Sequence, residues 1–210
     1  MVAKHLLIGM AAFSLAAAAH AQSSVTDPTG DFLASYTGAH QADLDVTSLS
    51  VSFNSGTNSF LVESTMAGTI DSALPGFYVI GVNTGTGTIA PFGSIGAGNV
   101  RFNQAVIVQK SGAATVGATP LTATISGDML SLVLPLSLLP STGFEPGHYS
   151  FNIWPRSGTV GGLATISDFA PDNSDLSAAP EPASWAMMLG GFGVIGGAMR
   201  RRRVARPSFA

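Results

Sequence analysis

The sequence predicts a mainly β protein, with a single antiparallel β-sandwich followed by a C-terminal transmembrane helix. Three observations carry that expectation. The 210-residue chain is 46% hydrophobic but only 10% charged, against about 25% charged in ordinary soluble domains; its 25 glycines and many Ser and Thr stand in place of charge. Its middle consists of short β-branched and aromatic runs separated by Gly, Asn, Pro and Ser clusters, with no long amphipathic helical pattern. An apolar stretch with neighbouring basic residues lies near each end. Cysteine is absent, which excludes disulfides, Cys-ligated zinc, iron–sulfur clusters and thiol nucleophiles.

Residues 1–21 read as a secretory signal peptide. Lys4 supplies the positive start, 6–19 is the apolar region, and Ala19-His20-Ala21 is a small-x-small cleavage pattern that places the cut before Gln22. The apolar run is 14 residues long, shorter than the roughly 20 needed to span a bilayer.

Residues 22–171 form the expected sandwich, large enough for one core without disulfides. Strands are predicted over 45–53, 59–67, 77–82, 99–109, 121–126, 129–134, 149–154 and 162–167. Alternation is clear in Leu49-Ser50-Val51-Ser52-Phe53 and Leu130-Ser131-Leu132-Val133-Leu134, the mark of half-buried strands. The segments 54–58 and 126–128 read as hairpin turns. The stretch 137–139, between Pro135 and Pro140, reads as one helical turn. The small-residue segments 84–88 and 92–98 are loops without the phosphate-loop pattern. Polar, small residues over 172–179 read as a linker.

The far end has three parts in order. Pro180-Glu181-Pro182 is an extended, accessible peptide, because proline bars regular helix and pushes the preceding residue toward extended geometry. Trp185, suited to a membrane interface, opens the uncharged stretch 185–199. As helix it is about 22 Å long, and local thinning and snorkelling arginines cover the shortfall against a roughly 30 Å core. Arg200, Arg201, Arg202 and Arg203 hold their end in the cytoplasm under the positive-inside rule, so 204–210 is a short cytoplasmic end. This ordered set resembles the PEP-CTERM sorting tail of Gram-negative bacteria over residues 180–203. The resemblance implies an inner-membrane precursor recognised at Pro180, Glu181, Pro182 and Trp185 by an exosortase, a membrane processing enzyme. It further implies an ectodomain sent to the cell envelope or released outside, with a structural or adhesive role tied to exopolysaccharide and biofilm. The same type of tail is also labelled the C-terminal region of ice-binding proteins, a label that by itself says nothing about ice.

Chemistry in the middle is sparse. Only His40 and His148 follow the signal segment, and neither a G-x-S-x-G elbow nor H-E-x-x-H occurs. Gly191, Gly193 and Gly196 spell G-x-G-x-x-G, but no strand precedes them and no acidic residue follows about 20 positions later, so the dinucleotide reading fails. The protein is expected not to be an enzyme, an extracellular hydrolase being the remaining enzymatic alternative. Residues 22–179 hold eleven acidic against three basic side chains, which favours cations or neutral polymers over nucleic acid as partners.

The aspartates are the main site candidates. Asp27 and Asp31 bracket Pro28-Thr29-Gly30; Asp43 and Asp45 lie near the first expected strand; Asp168, Asp172 and Asp175 follow the last expected one. Opposite ends of a sandwich chain often lie close together, and calcium takes six to eight oxygen ligands. Calcium is therefore the candidate cofactor. The competing reading is that these aspartates cap turns and keep the surface soluble. The Asp-Pro-Thr-Gly-Asp and Asp-Leu-Asp segments, with the later Pro-bounded turn, also loosely resemble jelly-roll, carbohydrate-binding-module-like sandwiches. That likeness implies a polysaccharide ligand stacked on an aromatic, with Trp154 the candidate; burial of Trp154 in a core is the alternative.

Overall fold

The computed structural model describes residues 22–158 and 162–178, together with Phe192. Ala19 and Ala21 of the expected signal peptide lie outside the described residues. So do Pro180, Glu181, Pro182, Trp185, Arg200, Arg201, Arg202, Arg203 and the expected span apart from Phe192, which is helical and exposed. Among the described residues, no helix is long and apolar enough to cross a membrane.

Eleven strands are described: β1 (Gln22–Thr26), β2 (Val46–Asn54), β3 (Ser59–Met66), β4 (Phe77–Asn83), β5 (Gln104–Gln109), β6 (Ala113–Val116), β7 (Thr119–Thr122), β8 (Thr124–Ser126), β9 (Met129–Pro135), β10 (Ser150–Arg156) and β11 (Leu176–Ser177). They form two antiparallel sheets, ordered β1-β2-β3-β9-β8 and β11-β10-β4-β5-β6-β7. The mainly β, antiparallel expectation is met.

Period-two patterning explains the five-stranded sheet. Leu49 and Val51 of β2, Phe60 and Val62 of β3, and Leu130, Leu132 and Leu134 of β9 all point inward and are buried. They pack against Tyr78, Ile80, Val82, Val106, Val108, Phe151 and Ile153 from the other sheet in one continuous core. The alternate residues form an outer, hydroxyl-rich face. One row crosses all five strands through Ser24, Ser50, Glu63, Ser131 and Thr124.

The six-stranded sheet is covered on both faces in its centre. Residues of β4 and β10 are buried almost without alternation, as expected when a strand has no solvent side. A second apolar cluster covers the outer face: Val79 and Trp154 on the sheet meet Phe92, Val100, Ile166 and Phe169 from the loops. Gly81 lies under the indole, where a Cβ would come within 2.5 Å of Trp154 Cζ3. Only glycine admits this close approach of ring to backbone.

Four expectations need correction. The strand expected at 99–109 begins at Gln104; Phe102 makes only an isolated bridge to Ile89. The segment 121–126 is two strands on different sheets, because the chain crosses at buried Ala123, whose amide donates to Gly112 O at 2.8 Å. The segment 162–167 is not a strand but contains a 3-10 turn at Leu163–Thr165. Finally, 172–178 is no free linker: β11 pairs with β10, and Ala178 is buried with its amide donating to Tyr149 O at 2.7 Å. The domain therefore runs to at least residue 178. The expected helical turn after Pro135 is present at Leu136–Leu138.

Candidate metal centre

Three separated segments meet at one end of the sandwich. The first leaves β1, whose end is pinned by the Asp27 amide donating to Thr47 O at 2.9 Å. The chain then turns through Pro28-Thr29-Gly30, with Gly30 in the left-handed region at φ 85°, and reaches Asp31. The second segment is the entry to β2. Asp45 Oδ2 accepts the Gly30 amide at 2.8 Å, which binds the turn to the sheet. The third follows β10 and returns along it: the Ser167 amide donates to Pro155 O, and Ile153 and Ala170 exchange backbone hydrogen bonds of 3.0 and 2.9 Å. That path places Asp168 deep in the structure and Asp172 at its surface.

Asp168 is 1% exposed and locked in place. Its Oδ2 accepts the Val46 amide at 2.8 Å and its Oδ1 accepts the Phe169 amide at 2.7 Å. The Ser167 hydroxyl donates to Leu44 O at 2.7 Å, and the Leu33 amide to Ser167 O at 2.9 Å. The result is that one carboxylate oxygen from each of Asp27, Asp31, Asp168 and Asp172 lies within 4.8 Å of every other.

Electrostatics at this point are unfavourable for four anions. Burial, then the charges of Asp172, Asp31 and Asp45, pushes the Asp27 carboxyl up to about 7. Burial pushes Asp168 up to about 8, with Asp27 and Asp31 adding to it and the two amide hydrogen bonds opposing it. Asp172 is raised by burial and by Asp31. Asp45 is raised chiefly by burial, against the Gly30 hydrogen bond. Among the described residues, no basic side chain contributes to the shifts of Asp27, Asp168 or Asp172. Moreover Asp27 Oδ2, Asp31 Oδ1 and Asp45 Oδ1 are buried and accept no hydrogen bond, a costly condition for a carboxylate. A hard cation with oxygen ligands supplies what these atoms lack; the absence of imidazole and thiolate from the cluster does not suit zinc or copper.

Of the aspartates singled out in the sequence, the structure brings four into the cluster and sets Asp45 beside it, on the Gly30 amide. Asp43 belongs elsewhere. Its Oδ2 makes a 2.6 Å ion pair with Lys110, both side chains being 3% exposed, and also accepts the Asp71 amide at 3.1 Å. It borders a separate cavity of about 470 Å³ with Gln41, Ile70 and Asp71.

Trp154 is 2% exposed, its ring packed against Phe92, Phe102 and Phe169 at centroid distances of 5.1, 5.0 and 6.0 Å. It is a core residue, with no ring face presented as a platform for a sugar. A groove of about 380 Å³ lies above it between Phe77, Phe102, Ile107 and Leu163. Gln22, the residue after the expected signal cleavage, opens β1 and donates through its side chain to Ser50 Oγ. Sequence reasoning missed Gly30 as the hinge of the acidic loop, although Gly flanked by Asp residues was the available signal. Asp175, which the sequence grouped with Asp168 and Asp172, lies outside the cluster; it accepts the Arg101 amide at 3.1 Å and ties the segment before β11 to the loop before β5.

Fold and tail together define a β-sandwich domain followed directly in sequence by a sorting signal. The family model of the PEP-CTERM protein-sorting motif matches residues 178–203, and the chain carries that motif. The motif implies recognition by an exosortase and hence an exported, membrane-transiting precursor sorted to the envelope or the extracellular space. No curated protein and no solved structure matches the chain.

Proposed function

We propose that this protein is a structural or adhesive component of the cell envelope or extracellular matrix, acting alongside exopolysaccharide in biofilm and having no enzymatic activity of its own. A cleaved signal peptide over 1–21 starts export, and the arginine cluster holds the precursor at the inner membrane until exosortase acts at the Pro-Glu-Pro triplet. The observation that carries this reading is the sorting motif at 178–203, which starts where the sandwich ends. The surface supports it further. The row Ser24, Ser50, Glu63, Ser131 and Thr124 lies on a broad sheet face of the kind that exchanges hydrogen bonds with water and with polymer hydroxyls. Burial of Trp154 shifts the proposed polysaccharide contact from aromatic stacking to this hydroxyl face.

The test is Glu181→Ala in the native host. An unprocessed, membrane-retained precursor is the expected result. Normal processing and release would contradict sorting through the triplet.

A further inference from the structure

We propose that Asp27, Asp31, Asp168 and Asp172 bind one calcium ion, with Asp45 behind them, and that the ion clamps the start of the domain to the segment that leads into the sorting motif. Calcium–oxygen distances of about 2.3–2.6 Å make a coordination sphere about 4.6–5.2 Å across. The four oxygens, none more than 4.8 Å from another, are separated by no more than the width of such a sphere. Magnesium, with an octahedron about 4.0–4.2 Å across and a strong hold on its waters, rarely gathers four carboxylates.

Asp45 is the independent observation. It is 3% exposed, its Oδ1 accepts no hydrogen bond, and its Oδ2 is bound to Gly30 at the centre of the loop that carries Asp27 and Asp31. A buried, unpartnered carboxylate oxygen held against a cluster of four others costs stability unless a positive charge completes the group. The three basic side chains of residues 22–178 are engaged away from the cluster. Lys110 pairs with Asp43, Arg101 is drawn to Asp175, and Arg156 donates to Thr165 and to Gly162 O.

The consequence is mechanical. Asp27 directly follows the first strand, and Asp172 lies four residues before β11, the strand that ends next to the sorting motif. An ion shared by the two closes the domain where the tail leaves it. The metal site rests on the domain's geometry alone; its role in presenting the tail rests on the sorting reading, so the two fail separately.

The experiment uses the full-length protein in detergent micelles, stripped with chelator and melted at pH 8 with and without calcium chloride. The melting temperature rises by about 5–10 °C at about one hundred times the dissociation constant. Asp27→Asn raises the melting temperature of the calcium-free protein, because it removes one of the repelling charges, yet abolishes the response to calcium. Asp172→Asn, at an exposed position, also loses the response, while the distant Asp128→Asn retains it. A calcium-independent melting temperature in the unsubstituted protein, or a full response in Asp27→Asn and Asp172→Asn, would overturn the proposal. An equal response to magnesium chloride would overturn the assignment to calcium.

Discussion

Asp43 and Asp45 are two positions apart and end in opposite settings. The 3-10 turn Ala42–Leu44 delivers Asp43 to Lys110 and leaves Asp45 facing the Gly30 loop. Sequence spacing made the two look equivalent as oxygen donors, because nothing local tells which carboxylate meets a cation from the turn after β5, far along the chain. Both members of the Lys110–Asp43 pair are nearly inaccessible, so removing one leaves a buried uncompensated charge. Lys110→Met is therefore expected to destabilise the domain by about 3–5 kcal/mol, measured by denaturant unfolding. The double variant Lys110→Met with Asp43→Asn should lose less than the single one. A double loss equal to or larger than the single would show that the pair is not where the energy lies. The other four aspartates were legible as a group because they flank the first and last parts of the domain. Their actual convergence depends on the segment after β10 returning along that strand and reaching the start of β2, which composition does not reveal.

At the scale of elements, legibility followed solvent exposure. Strands with one wet face, β2 and β9, show their alternation plainly in the sequence. The central strands β4 and β10 were found from their apolar content, but that content did not reveal that loops cover their outer face. The short strands β1, β6 and β11 were missed. β1 is Ser-rich and owes its place to β2; β6 lies between the positive-φ glycines Gly112 and Gly117; β11 has two residues and looks polar. In reverse, apolar residues at 163 and 166 suggested a strand, whereas they serve as a lid over Trp154. The tight stacking beneath that lid makes a clear prediction. Gly81→Val places side-chain atoms where the indole of Trp154 lies and should cost about 1–3 kcal/mol by overpacking. Near-ultraviolet circular dichroism will report a disturbed Trp154 environment; an unchanged spectrum and stability would contradict this packing.

For the whole molecule, the sorting tail was the most readable feature, since its three parts are local in sequence and need no tertiary structure to be seen. The sandwich was legible as a class, and its two-sheet order was not, because strand pairing such as β3 with β9 is set by contacts distant in the chain. The fold then changes how the tail is understood. The domain does not end in a slack linker; β11 and buried Ala178 bring folded structure to the edge of the matched motif. The proposed calcium ion, held between the two ends of the domain, would close it there. The most direct measurement is an anomalous difference map from crystals of the protein grown with calcium chloride. The account predicts one strong peak enclosed by Asp27, Asp31, Asp168 and Asp172. Ordered density for these four side chains with no peak between them, at a calcium concentration in the millimolar range, would contradict it.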